Sequence, residues 1–216
     1  MAAEALERKA EELGYQIKVE TRGSSGAKNV LTAEEIAKAD GIIVLGFCTD
    51  IKYSVPIVSI NGIDGLIKLS NREAIFEAVQ LFIENGHKKI GYIGERYTNE
   101  KCTHFKAALK KTGLKVNENY IICENNSRFE KAGYDAMNAL FEQGNLPTAI
   151  LAAYDCMAIG AMKSIHEHGK KIPQDISLIG MDNIVETEYL IPPLTTITSF
   201  NEDLCQMAAE LIFEKI

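Results

Sequence analysis

A strand, a helix and a second strand follow one another closely in the C-terminal half of the chain. Residues 148–153 form a short apolar run that is long enough for one buried strand. A helix is expected over residues 156–168, with Asp155 placed as its N-cap and Gly169 as a terminating residue of positive φ. A second apolar strand is expected over residues 176–179. Because this spacing is typical of a βαβ unit, it predicts a parallel sheet.

The same alternation of apolar strands and amphipathic helices extends along most of the chain. It predicts an α/β fold with doubly wound parallel sheets and two similar lobes. Further strands are expected over residues 16–20, 41–45, 55–60, 66–69, 90–93, 120–123 and 195–198. Further helices are expected over residues 2–13, 32–39, 71–85, 101–111, 128–143 and 201–216, where Asn71 and Asn201 are predicted caps.

Polar side chains collect where two of the predicted strands end. Tyr154 and Asp155 follow the first strand of the βαβ unit, and Asp182 and Asn183 follow the second. In open parallel sheets, ligands bind beyond the carboxyl ends of the strands, so this edge is the predicted ligand site. The simpler alternatives are a helix cap for Asp155 and an Asx turn for Asp182. For Asp155 we expect the structural role, and for Asp182 we favour ligand contact.

The overall charge and hydropathy exclude several classes of protein. A net charge of −7 argues against a free-standing nucleic-acid surface, which would need a basic face. No run of eighteen apolar residues occurs, and the first residues are amphipathic and charged, so neither a membrane span nor a signal peptide is expected. The 5 cysteines are scattered without a CxxC pair. They predict a reduced, cytoplasmic protein in which thiols act as small hydrophobes.

The sequence offers no recognisable catalytic or metal-binding motif. We find no nucleophile–histidine–acid set, phosphate-binding P-loop or zinc spacing, which predicts a protein that is not an enzyme and uses no cofactor. His166 and His168 are two positions apart on a helix and therefore face different directions. His87 lies in a Gly-His-Lys-Lys turn and is expected to be structural or solvated.

Several separated motifs resemble one known family. The runs 86–94, 147–160, 169–183 and 189–196 occur in the order found in the effector-binding domain of LacI/GalR-type transcriptional regulators, and the likeness extends over about residues 40–216. The resemblance implies a periplasmic-binding-protein-like fold with one lobe from residues 1–88 plus 199–216 and another from 89–198. It also implies a sugar or sugar phosphate effector between the lobes and a homodimer. The sequence shows no helix-turn-helix, so operator DNA would be bound only through a separate head.

The resemblance assigns roles to individual residues. Asp182 aligns with the aspartate that binds sugar hydroxyls, and Asp155 with the aspartate of the family's Asn-Asp pair. Tyr154 stands where the family has asparagine, so the specificity is expected to differ. Lys101 stands where the family has arginine, and it is either a ligand contact or a solvated side chain. Phe129 is either the aromatic floor of the site, one position out of register, or a core residue, and we favour the core residue.

The first 44 residues resemble a different family. The runs 1–10, 14–29 and 31–40 are similar to the IIB domain of fructose-type sugar phosphotransferase systems, but without its cysteine-bearing phosphate loop. No phosphoryl transfer by that route is therefore expected. Both families begin with a central strand that is absent here, which predicts a truncated first lobe. The explanations that remain open are a truncated gene model, a fusion of two flavodoxin-like pieces and a partner chain that fills the gap.

Four functions are compatible with these observations. The leading hypothesis is a sugar- or small-metabolite-sensing effector domain of a LacI/GalR-type regulator. The second is an inactive phosphotransferase IIB-derived remnant that serves as a scaffold. The third is a transporter's solute-binding protein, which the absent signal peptide and the scattered cysteines disfavour. The fourth is an engineered chimera without a ligand response. It is supported by the change from one family resemblance to the other near residues 39–41.

Overall fold

A computed structural model describes residues 2–18, 33–45, 54–60, 67, 70–123, 127–144, 146–198 and 202–216. The chain divides into two compact units. The first consists of Met1–Leu69 with Phe200–Ile216, and the second of Ser70–Ser199. These units are defined by compactness, and the division into functional lobes at residues 88/89 and 198/199 stays a prediction.

The first unit contains a two-stranded parallel sheet and the helices around it. Strand β1 (Ile42–Leu45) pairs with β2 (Ile57–Ile60), with Ile42 opposite Ile57. Helices α1 (Ala2–Glu12) and α2 (Ala33–Ile36) precede the sheet in the sequence, and α7 (Glu202–Phe213) returns to the unit from the chain's other end. The apolar side chains that pack between α7 and these elements are buried, namely Leu6, Val58, Ile60, Ile67, Leu204, Cys205, Ala208, Ala209 and Ile212.

One sequence prediction in the first unit is corrected by this structure. Residues 15–18 carry no regular secondary structure, so the part of the predicted strand 16–20 that the structure describes is not a strand. In the predicted strand 66–69, Ile67 makes an isolated parallel bridge to Ile60, and its neighbours lie outside the described residues. The predicted caps at residues 32 and 201 also lie outside them.

The second unit is built on a five-stranded parallel sheet. Its strands are β3 (Ile90–Ile93), β4 (Ile121–Ile122), β5 (Ala149–Ala152), β6 (Ser177–Met181) and β7 (Thr195–Ile197), in the spatial order β4-β3-β5-β6-β7. The helices are α3 (Arg72–Glu84), α4 (Asn99–Lys111), α5 (Phe129–Glu142) and α6 (Asp155–Glu167). This pattern confirms the predicted α/β fold with parallel sheets, because every strand pair is parallel and helices separate most successive strands.

Burial explains why these strands are continuous apolar runs rather than alternating ones. All four residues of β3 and all four of β5 are buried, as expected for strands that are covered on both faces. Helices α5 and α6 approach closely at two glycines. A Cβ atom at Gly133 would lie 1.9 Å from the carbonyl oxygen of Met157, and one at Gly160 would lie 1.8 Å from that of Glu130. Only residues without a side chain fit this helix contact.

Candidate functional site

The strand order of the second unit creates a crevice between β3 and β5. From β3 the chain moves to β4 on one side, and it then returns to β5 on the other side of β3. Loops that leave the carboxyl ends of β3 and β5 therefore diverge, and this divergence marks the place where open α/β sheets bind ligands. The residues predicted for the site, Lys101, Phe129, Tyr154, Asp155 and Asp182, follow the carboxyl ends of β3, β4, β5 and β6.

Lys101 connects α4 to the end of β5. Its Nζ atom donates a hydrogen bond to the carbonyl oxygen of Ala153 at 2.7 Å and lies 4.3 Å from the ring centroid of Tyr154. Burial lowers the pKa of Lys101, and the carboxylates of Asp182 and Asp155 counteract part of that effect. The side chain is therefore not a freely solvated lysine. It places a positive charge on the face of Tyr154, an arrangement that an aromatic ring stabilises.

Asp155 has a structural role, although not the predicted one. It is the first residue of α6, the N-cap is Tyr154, and no side-chain cap bond forms there. The carboxylate is fully buried, and it accepts hydrogen bonds from Thr196 Oγ1 at 2.6 Å and from the backbone N–H of Ile184 at 3.0 Å. Asp155 therefore joins α6 to β7 and to the loop after β6. A Cβ atom at Gly180 would lie 2.1 Å from Asp155 Oδ1, so glycine provides the space for this carboxylate.

The turn after β6 has an unusual backbone. Asp182 and Asn183 adopt φ values of 118° and 55°, which residues with a side chain rarely adopt. The turn is held by hydrogen bonds from the N–H of Asp182 to the carbonyl oxygen of Ile197 at 2.8 Å and from the N–H of Asn183 to Thr196 Oγ1 at 3.2 Å. Such backbone strain is found at functional sites more often than elsewhere. The half-buried Asp182 also acts electrostatically on Lys101 and Tyr154.

Phe129 lies beside the same edge and outside the core. Its side chain is 43% exposed, so the alternative of a core phenylalanine is wrong. The Phe129 and Tyr154 ring centroids are 6.3 Å apart, within the range of aromatic pairs. The guanidinium carbon of Arg128 lies 4.4 Å from the Phe129 centroid. Burial is the main cause that raises the pKa of Tyr154, with Glu95 and Asp182 adding to it.

Sequence reasoning missed a charged pair at this edge. Glu95 stands two residues after the end of β3 and is 1% exposed. Arg128 binds its carboxylate through Nε at 3.2 Å to both oxygens and through Nη2 at 3.0 Å to Oε1. The guanidinium also lies 5.0 Å from the ring of Tyr97, over which Arg96 sits as well. The available signal was the polar residue at the carboxyl end of an apolar strand, the same signal that identified Asp155 and Asp182.

The opposite edge of the sheet carries a different cluster. His87 Nδ1 lies 2.9 Å from Thr148 Oγ1, and its Nε2 lies 2.9 Å from Ser177 Oγ. These residues stand at the amino ends of β3, β5 and β6, so one imidazole ties three strands together. The structural reading of His87 is thereby confirmed. Burial lowers the pKa of His87, so the folded chain favours the neutral ring.

Together, the carboxyl-edge residues form a site suited to a polar ring-shaped molecule. The rings of Tyr154 and Phe129 can cover an apolar face, Asp182 can accept hydrogen bonds from hydroxyls, and Lys101 supplies a positive charge. Among the described residues, no group of three or more His, Cys, Asp or Glu side chains could hold a metal ion. A surface depression of about 280 Å³ is lined by Met162, Ile165 and Pro192 among others. It lies at the far end of α6, roughly 18 Å along the helix from Asp155, and is not this site.

Two family models match separate parts of the chain. A model described as a periplasmic binding protein-like domain matches residues 79–216. A model described as the lactose/cellobiose-specific IIB subunit of the phosphotransferase system matches residues 1–71. The IIB resemblance of the first segment is thus supported, although the matching model names lactose and cellobiose rather than fructose. No helix in the described part of the chain is both long enough and apolar enough to cross a membrane.

Similar proteins are transcriptional repressors. The HTH-type transcriptional repressor PurR of Pasteurella multocida (strain Pm70) is 38% identical over 149 residues, which are 67% of this chain and 44% of that protein. The PurR of Mannheimia succiniciproducens is 31% identical over 209 residues, covering 88% of this chain and 61% of that protein. The chain thus spans less than two thirds of the length of these relatives.

Solved structures of similar fold cover almost the whole chain. One is a LacI-type transcription regulator from Bifidobacterium animalis, with a TM-score of 0.80 at 22% sequence identity. The match covers 99% of this chain and 85% of the regulator chain. Another is a complex of the transcriptional regulator CelR with cellobiose, with a TM-score of 0.79 at 22% sequence identity. The match covers 99% of this chain and 70% of the CelR chain. At this identity the likeness shows the fold alone.

Proposed function

Since the chain belongs to the periplasmic binding protein-like domain family, we propose that it is the effector-binding part of a LacI/GalR-type transcriptional regulator. It binds a sugar, a sugar phosphate or a similar small metabolite at the carboxyl edge of the β3–β7 sheet and catalyses no reaction. The proposal rests above all on one observation. Lys101 in the first turn of α4, Tyr154 between β5 and α6, and Asp182 in the turn after β6 act on one another at the predicted crevice.

Each of these side chains has a separate task in the proposed complex. Asp182, in a turn of positive φ after β6, accepts two hydrogen bonds from adjacent ligand hydroxyls. Tyr154 and Phe129 contact the apolar face of the ligand ring. Lys101 is held by the Ala153 carbonyl group and interacts with an anionic or strongly polar substituent, which favours a sugar phosphate over a neutral sugar. Asp155 supports the edge without contacting the ligand.

The proposed partners follow from the family. A regulator of this kind acts as a homodimer and binds operator DNA through a separate head, and such a protein works in the cytoplasm. Binding of the effector changes DNA affinity only if one conformation of the regulator binds the effector better than the other. Three large apolar side chains after β6 support a protein interface, since Val185 is 64%, Tyr189 78% and Ile191 96% exposed.

A thermal-shift screen of the purified chain against sugars and sugar phosphates tests the proposal, with cellobiose among the compounds. At a hundredfold excess over its dissociation constant, a ligand that binds only the native state adds about 2.7 kcal/mol of stability. We expect the shift to be lost in Asp182→Asn and kept in Glu84→Gln, which removes the same charge from an exposed position on α3. A shift that survives Asp182→Asn, or a folded chain that no compound stabilises, would contradict the proposed site.

A second candidate function is favoured by the match of residues 1–71 to a phosphotransferase IIB subunit. In this alternative the chain is a IIB-derived scaffold or a chimera that responds to no effector. The two candidates differ in the same screen, because a scaffold unfolds at one temperature whatever compound is added. The relative that matches 88% of the chain favours the regulator, since its match extends beyond residues 79–216.

A further inference from the structure

Two cysteine thiols lie against each other between α4 and β4. Cys102 is in the first turns of α4, and Cys123 directly follows β4. Their Sγ atoms are 2.9 Å apart, although the two residues are separated by 21 positions in the sequence. A disulfide bond needs a sulfur separation of about 2.04 Å, so the two atoms have to approach by less than about 1 Å.

The surroundings keep this pair together and make it reactive. Lys106, one helical turn after Cys102, forms a salt bridge of 2.8 Å with Glu118, which stands just before β4. The contact therefore joins α4 to the turn that precedes β4. The S–H group of Cys123 donates to Cys102 Sγ, and this hydrogen bond, assisted by the Lys106 ammonium, lowers the pKa of Cys102. Cys102 is the nucleophile of the pair, since a thiolate reacts and a thiol does not.

We propose that Cys102 and Cys123 form a reversible intrachain disulfide when the chain meets hydrogen peroxide. The Cys102 thiolate attacks a peroxide oxygen, the O–O bond breaks, and the departing hydroxide takes up a proton to become water. Cys102 is then a sulfenic acid, and Cys123 attacks its sulfur. The S–S bond forms while the sulfenic oxygen leaves as a second water with the proton of Cys123. Two thiols lose two electrons in total, and one peroxide is reduced to two waters.

The position of the pair gives the reaction a structural consequence. Cys102 is 7% exposed and the adjacent Cys123 is half-buried, so a small peroxide can reach the Cys102 thiolate past Cys123, whereas a bulky oxidant is disfavoured. The bond would close a loop from residue 102 to residue 123 and fix the start of α4 to the carboxyl end of β4. Disulfides of this kind in reducing compartments are transient and usually redox-sensing. The inference does not depend on the identity of any effector.

The test is disulfide mapping of the whole chain after exposure to hydrogen peroxide. Free thiols are blocked with N-ethylmaleimide, and the protein is digested with trypsin without reduction. Every cysteine falls in a different tryptic peptide, and Cys102 and Cys123 lie in residues 102–106 and 116–128. We expect these two peptides to be joined, to separate on addition of dithiothreitol, and to be joined in Cys156→Ser as in the unaltered chain.

The variants distinguish a specific bond from general oxidation. Oxidation of the unaltered chain should also raise its melting temperature. Cys102→Ser and Cys123→Ser should each abolish both the joined peptide and this rise. The mapping on the unaltered chain stands even if one variant fails to fold. Two outcomes overturn the proposal. One is that both thiols remain open to N-ethylmaleimide after treatment. The other is that Cys102 ends as a sulfinic acid or is joined to a cysteine other than Cys123.

Discussion

The two edges of the β3–β7 sheet are held together by different kinds of polar contact. At the amino edge, the neutral imidazole of His87 contacts two hydroxyl groups, Thr148 Oγ1 and Ser177 Oγ, and no charge is buried in the contact. At the carboxyl edge, the buried carboxylates of Asp155 and Glu95 are held by specific donors. Both edges are parts of one compact unit, so the comparison is made within a single framework.

The difference supports the proposal that the carboxyl edge binds a ligand. Burying a charged group costs free energy unless the group is paired, and neutral groups at the carboxyl edge would have a smaller desolvation cost. The positive φ values of Asp182 and Asn183 add backbone strain at the same edge. Buried charges, which must be paired to be tolerated, and backbone strain are more often found beside a ligand site than elsewhere, and the amino edge has neither in its His87 cluster.

The largest effect that would sharpen this comparison is expected from Asp155→Asn. The amide keeps the size of the side chain but presents an NH₂ group to one of two donors, Thr196 Oγ1 or the N–H of Ile184. Unfolding in urea should show a loss of about 4 kcal/mol, because one hydrogen bond to a charged group, worth about 1.5–3 kcal/mol, is lost and the buried donor left unsatisfied costs about 1–3 kcal/mol more. Asp182→Asn, at a half-buried turn on the same edge, should stay within about 1 kcal/mol of the unaltered chain. Equal losses in the two variants would remove the distinction between a supporting and a binding aspartate.

A smaller effect is expected from Arg128→Met. The change leaves the buried carboxylate of Glu95 without the guanidinium that binds both of its oxygens. The cost should be about 2 kcal/mol, below that of a fully buried pair, because the arginine side chain is 33% exposed and water can reach the contact. Arg96→Met removes a neighbouring exposed arginine and should change the urea midpoint little. If the two variants unfold alike, the Glu95–Arg128 pair does not hold the edge.

The smallest effect concerns pH and the amino edge. Burial lowers the pKa of His87 in the folded chain below its ordinary value of 6.5, so the unfolded chain binds a proton first as the pH falls. The contribution of His87 is therefore fully present above about pH 6.5 and is lost below it. Urea unfolding at pH 7.5 and 5.5 should show a weaker pH dependence in His87→Gln than in the unaltered chain. His166→Gln, at an exposed position, should leave the pH dependence of stability unchanged. A pH dependence that is weakened by His166→Gln and not by His87→Gln would contradict the assignment of the effect to His87.

Much of the second unit could be predicted because its signals are local. Apolar runs bounded by polar residues gave the strands now seen as β3, β5 and β6, and Gly169 ends α6 with a φ of 67° as expected. Local signals failed where partners are distant. The predicted cap at Asp155 is instead a contact with residues 29 and 41 positions away, and Phe129 is exposed rather than buried in the core.

The sequence by itself determined the parallel α/β fold, the family and the sheet edge proposed for the site, since hydrophobic periodicity and strand ends are properties of neighbouring residues. Only the tertiary structure decided which side chains meet there. The pairs Glu95–Arg128, Cys102–Cys123 and His87–Ser177 join residues 33, 21 and 90 positions apart. Such contacts depend on strand order and on the close approach of helices such as α5 and α6, which local residue patterns do not encode.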